Sequence, residues 1–231
     1  MRYISSDWHC NPSGLRPAVE MWLRMGMREK ATLIGNGDLF NIIPWGEKHW
    51  EVEHDAIDEF KIILDGYPFY YILGNHDLDE PWLKKMFADS PNIKIVPKIH
   101  VLGADIRHGH ETFIDWAILR HFAPEVVNFM SRNFPDLWYK FCMKMGWMPS
   151  WFEGTDEYHA VVLGVWRAAL KYSQKHHCKV IRGHTHHAAV LNEPGEHWVL
   201  ADSGSLGSAD GFYIRWGAPG DLKIKSVWDI K

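Results

Sequence analysis

Cysteine is scarce in this chain: Cys10, Cys142 and Cys178 are the three among 231 residues, an odd number without zinc-finger spacing. A thiolate metal cluster is excluded on that count. No secretory apolar segment precedes the first strand-like residues, 2–5, so a cytoplasmic location is expected. Long hydrophobic runs are missing too, none approaching the roughly 20 residues that span a bilayer, and no transmembrane helix is expected. Nor does one sign of charge dominate. With 25 Lys and Arg against 29 Asp and Glu the formal net charge is −4, which gives no broad positive field to draw in nucleic acid, and no nucleic-acid partner is expected. What the chain does have is length enough to bury a full core. A single domain over residues 1–231 carrying one insertion is the expected organisation.

Short apolar runs alternate with helical patterns, the signature of an α/β or layered α+β fold. Residues 2–5 read as a first strand. Over 17–28, Val19, Trp22, Leu23 and Met27 recur near the 3.6 period of a helix. Strand 31–34 follows, then helix 50–64 with Ile57, Phe60 and Leu64 on one stripe, then strand 69–73. Short strands are expected at 93–96, 99–101 and 104–107, and a β-rich C-terminal half at 179–182, 188–191, 197–201, 212–216 and 222–228. Two stacked sheets flanked by helices would hold both halves.

Five segments follow strand-like runs: Asp7-Trp8-His9, Gly37-Asp38, Gly74-Asn75-His76-Asp77, His108-Gly109-His110 and Gly183-His184-Thr185-His186. In open α/β sheets ligands collect at such strand ends. Any one histidine there has a bland reading, since turns favour polar residues. The ordered set does not. Carboxylates, imidazoles and an amide suit Mn(II), Fe or Zn holding a phosphate ester, and point to a two-metal hydrolase. A shared carboxylate such as Asp38 holds two cations about 4 Å apart. Neutral imidazoles complete the shells without repelling an anionic substrate. His76 beside Asp77 makes a proton-donating pair, the carboxylate raising the imidazole's pKa and fixing its tautomer.

The ordered motifs resemble those of the calcineurin-like metallophosphoesterase superfamily from Asp7 to His186. The resemblance implies a four-layer αββα sandwich with a dinuclear metal site at one edge and hydrolysis of phosphomonoesters or phosphodiesters by a metal-bridging hydroxide. Asp7, His9 and His186 would hold one metal, and Asn75, His108 and His184 the other. Asp38 would bridge them. His76 would contact the phosphate and protonate the leaving oxygen, oriented by Asp77. His110 is the alternative to His108 as ligand. Manganese is the expected cation, with iron, zinc or nickel as alternatives.

Within the superfamily the chain also looks like the UDP-2,3-diacylglucosamine hydrolases, which carry a helical insertion before Gly-His-Thr-His. It departs from them at His76, where they have arginine, and at His108-Gly109-His110, where they have His-Gly-Asp. The expected substrate is a phosphate-ester small molecule, nucleotide-linked or amphiphilic among the options. A different class of reading is a non-catalytic binding scaffold of the same fold. Residues 111–174 are expected to form a mostly helical cap insertion, rich in aromatics such as Trp116, Trp138, Trp147 and Trp151. These side chains suit a substrate pocket, a dimer surface or a core.

Overall fold

Alternation along the strands decides what each side chain packs against. In the computed structural model, which describes residues 1–10, 14–40, 47–74, 77, 80–109, 156–192, 198–218 and 220–229, with side chains outside that description at 47–54 and 156–161, the strands form two sheets. The first has six strands in the order β11-β10-β1-β2-β3-β4: β1 (Arg2–Ser5), β2 (Thr32–Asn36), β3 (Phe69–Ile72), β4 (Ile93–Val96), β10 (Phe212–Trp216) and β11 (Leu222–Ser226). The second runs β5-β6-β7-β9-β8, from β5 (Ile99–Val101), β6 (Ala104–Ile106), β7 (Lys179–Arg182), β8 (Ala189–Leu191) and β9 (Leu200–Asp202).

Tyr3, Leu33, Phe69 and Tyr71 face one side of the first sheet and pack with Val19, Trp22 and Leu23 of helix α1 (Pro17–Arg28) and Ile57, Phe60 and Leu64 of α2 (Glu47–Leu64). Their neighbours Ile4, Ile34 and Ile72 point the other way, onto Ala104, Ile106, Ile181 and Ala201 of the second sheet. On the far side of that sheet, Val180 and Leu200 pack against Ala169 of α4 (Asp156–His176). The layers are therefore helix, sheet, sheet, helix. Each large apolar side chain buried this way contributes about 1.5–3 kcal/mol.

Helix α1 starts with Pro17 at its first position, where the missing N–H costs nothing. Helix α3 (Glu80–Met86) buries Leu83. Residues 110–155, which hold most of the expected cap with its aromatic run, lie outside the described residues, and α4 covers the end of that segment. Among the described residues no helix is long and apolar enough to cross a membrane.

Strands β1, β2 and β3 pair in parallel, as do β6, β7 and β9. Parallel strands end at the same edge, so the loops after β1, β2 and β3 emerge together, and so do those after β6, β7 and β9.

Candidate metal centre

The β1–β2 ladder continues past its strands into two of the predicted segments. Asp7 N donates to Gly37 O at 3.0 Å, His9 N to Asp38 O at 3.1 Å and Cys10 N to Leu39 O at 3.2 Å. Between the two acid-bearing loops no freedom is left to drift. From below, the indole of Trp8 is fully buried, donates to Ser5 Oγ at 3.0 Å, and lies 5.7 Å from the rings of Trp22 and Phe60. On the second sheet Gly183 N donates to His108 O at 3.0 Å, joining the loops after β6 and β7.

Four of the five segments thereby converge, and their side chains form two groups: Asp7, His9 and His186, and Asp38, His108 and His184, the ligand atoms of each group lying within 4.8 Å of one another. In the first, Asp7 Oδ1 is 3.3 Å from His186 Nε2 and 3.9 Å from His9 Nε2, and the two imidazoles approach to 3.2 Å. In the second, His108 Nε2 is 3.1 Å from Asp38 Oδ2. The groups adjoin, with Asp7 Oδ1 4.0 Å from His108 Nε2. His108 turns Nδ1 onto Asn36 O at 2.7 Å, leaving Nε2 toward the carboxylates. Asp7, Asp38 and His108 are buried, whereas the side chains of His9 and His186 are 18% and 29% exposed. One wall of the site is closed and the other meets solvent.

Backbone conformation is uncommon at five of these residues. Asp7, His9, Asp38, His184 and His186 all have φ between 44° and 73°, a region unfavourable for residues with a Cβ and concentrated at functional sites. Gly37, at φ +85°, lies where a Cβ would overlap the His108 ring.

Asp77 is buried and accepts three hydrogen bonds: from Asp38 N at 2.8 Å, Gly74 N at 2.9 Å and Tyr71 Oη at 2.7 Å. It fixes the start of the Asp38 loop. Its sequence neighbours Asn75 and His76, and His110, lie outside the described residues.

Sequence patterns miss the loop after β9, whose serines and glycines carry no ligand chemistry. Ser205 Oγ donates to Asp7 O at 2.7 Å, Leu206 N to Ser6 O at 3.0 Å, and Ser6 Oγ to Gly204 O at 2.8 Å. The available signal is the density of Ser and Gly in 203–208 directly after a strand. Arg16 is a second omission: its Nε and Nη2 donate to His9 O at 3.2 and 2.8 Å, and its Nη1 to Gly207 O.

The donor set fits divalent cations. Two buried carboxylates stand together, and among the described residues no hydrogen bond reaches Asp7 Oδ1. Burial opposes charge on Asp7, yet His186 and His108 hold its carboxyl well below the ordinary range. Burial also opposes charge on His108, but Asp38 and Asp7 push its pKa up to about 10. Protons thus occupy a place that a cation fills more fully, and oxygen and imidazole ligands suit several divalent ions.

Two carboxyls are displaced upward. Burial and the Asp38 charge raise Asp77 to about 7, against the bonds from Tyr71 and Gly74. Burial, with a smaller push from Asp7, raises Asp202 to about 7 against the bonds from Thr185 and Gly204. A carboxyl raised from 3.8 to about 7 on folding contributes stability below the first value that is lost as pH rises through the second. His108, raised from 6.5 to about 10, contributes stability below the first value that is lost as pH rises through the second. All three signs agree. The Tm of metal-stripped protein is expected to fall steadily from pH 5 to pH 9, and added divalent metal to raise Tm more at pH 8.5 than at pH 6. Scanning fluorimetry across that range checks it, and a flat or rising Tm for stripped protein contradicts it.

A family model described as calcineurin-like phosphoesterase matches residues 3–188 of this chain. No curated protein matches the chain.

Proposed function

Because this chain belongs to the calcineurin-like phosphoesterases, metal-dependent hydrolases of phosphate esters, we propose that it hydrolyses a small-molecule phosphomonoester or phosphodiester at a pair of divalent cations, manganese first. The observation that carries the reading is the convergence of Asp7, His9 and His186 with Asp38, His108 and His184 at one edge of the two sheets. Asp7, His9 and His186 would hold one cation, and His108, His184 and Asn75 the other, with Asp38 as the shared ligand. When bound, the cations supply a hydroxide nucleophile at neutral pH and neutralise the phosphoryl oxygens.

The chain's own residues do the rest. The buried carboxylates of Asp7 and Asp38 hold the positive charge on the closed side, and His9, His184 and His186 border the open side by which the ester enters. His76 protonates the leaving oxygen, with Asp77 as its orienting partner. A cytoplasmic location belongs to the same proposal.

The test is hydrolysis of p-nitrophenyl phosphate against bis-p-nitrophenyl phosphate by metal-stripped protein refilled with Mn(II), alongside a count of bound metal. Metal-dependent release is expected, the favoured substrate separating monoester from diester chemistry. His76→Ala should keep its metal and lose most on esters with poor leaving groups, and equal losses on good and poor leaving groups remove the proton-donor role. Fewer than two metals per chain with no hydrolysis would leave a binding scaffold.

A further inference from the structure

Asp202, at the end of β9, belongs to none of the five segments, yet it is 1% exposed and gathers donors from three parts of the fold. Thr185 Oγ1 donates to its Oδ2 at 2.7 Å, Gly204 N to its Oδ1 at 3.0 Å, and Trp166 Nε1, from helix α4, to Oδ2 at 3.3 Å. Thr185 is the residue between His184 and His186. Its hydroxyl, while donating to Asp202, accepts from His187 N at 3.3 Å and so closes the turn that carries His186. The Trp166 ring also lies 5.8 Å from the His187 ring. Asp77 serves the Asp38 loop in the same manner, receiving backbone N–H groups from the loops after β2 and β3.

We propose that Asp202 is a positioning residue for the His184–Thr185–His186 turn, and that the Trp166 indole N–H ties this carboxylate to helix α4, so that the seating of α4 sets the geometry of both imidazoles. The argument rests on His184 and His186 being metal ligands. The main chain at both is left-handed, φ 73° and 54°, and a turn so strained keeps its shape only if its surroundings impose it. Thr185 supplies that constraint through its hydroxyl, since its own side chain is buried and anchored to a charged or polar acceptor rather than to solvent. Orienting partners one shell out from a metal typically change its affinity 10–100-fold when removed.

The test is Co(II) titration of metal-stripped full-length protein, read by the visible absorption of bound Co(II), for wild type, Thr185→Val, Thr185→Ser and Trp166→Phe, with circular dichroism to verify folding. Thr185→Val keeps size and loses the hydroxyl, and is expected to bind Co(II) at least about tenfold more weakly with an altered absorption band. Thr185→Ser restores the hydroxyl and should restore both affinity and band. Trp166→Phe keeps a ring and loses the N–H, and should shift in the same direction as valine by a smaller factor. Wild-type binding by Thr185→Val, or equal losses for serine and valine, overturns the positioning role. Wild-type behaviour of Trp166→Phe overturns the link to α4. If wild-type protein takes up no Co(II), it is the two-metal reading that fails, and this inference falls with it.

Discussion

Asp38→Asn is expected to lower turnover about a thousandfold and to reduce bound metal below two per chain. Asparagine preserves shape but removes the negative charge that offsets two cations, and loss of about 4 kcal/mol of such stabilisation is three powers of ten in rate. The carboxylate is 1% exposed, with His108 Nε2 at 3.1 Å. The fold should survive, because the backbone N–H of Asp38 still reaches Asp77 and its carbonyl still accepts from His9. Elemental analysis beside an ester-hydrolysis assay checks both halves. A variant that keeps two metals and near-normal turnover excludes Asp38 as the shared ligand.

Gly74→Ala is the second large effect, and it acts without replacing a ligand. A Cβ built at Gly74 overlaps both the side chain and the backbone nitrogen of Asp38. Backbone cannot swing aside as a side-chain tip can, and Asp38 N is already held by Asp77. Overpacking of this kind costs roughly 1–3 kcal/mol and sometimes more, which in a chain of this size lowers Tm by about 2–12 °C. Metal binding should fall with it, since relief of the overlap moves Asp38. Gly164→Ala provides the comparison: a Cβ there meets nothing within 4 Å, and the position lies inside α4, so Tm should stay or rise. Equal Tm shifts in the two variants would exclude the overlap as the cause.

The parts of the fold written in the sequence are those whose information is local. The periodicity over 17–28 and the apolar runs at 2–5, 93–96, 99–101, 179–182 and 212–216 coincide with elements found there. Boundaries set by partners are less legible. Alternation ends β2 at Ile34, whereas pairing of Gly35 with Tyr71 and Asn36 with Ile72 carries it two residues further. The run 222–228 reads as one strand, but the ladder stops at Ser226 and Val227–Asp229 coil into a 3-10 turn. Helix α3 has seven residues, too few for a periodic stripe to stand out.

The site divides along similar lines. Ligand types at strand ends are visible because aspartate and histidine name their own chemistry. The grouping of Asp38 with His108 and His184 depends on which strands are parallel neighbours, and that is a property of two sheets rather than of any segment. The supporting residues are the least legible: Ser205, Arg16 and Asp202 act through hydrogen bonds to backbone or to another side chain, and such roles leave no spacing to read.

The left-handed backbone at Asp7, His9, Asp38, His184 and His186 places the chain's durability and its chemistry in opposition. Each of these positions would rest more comfortably as glycine, or in most cases asparagine, so improvement by thermal endurance alone would strip the centre residue by residue while the sandwich around it grew sturdier. Aspartate and histidine at those five positions are thus a loss of robustness that the chemistry of the edge imposes on the fold.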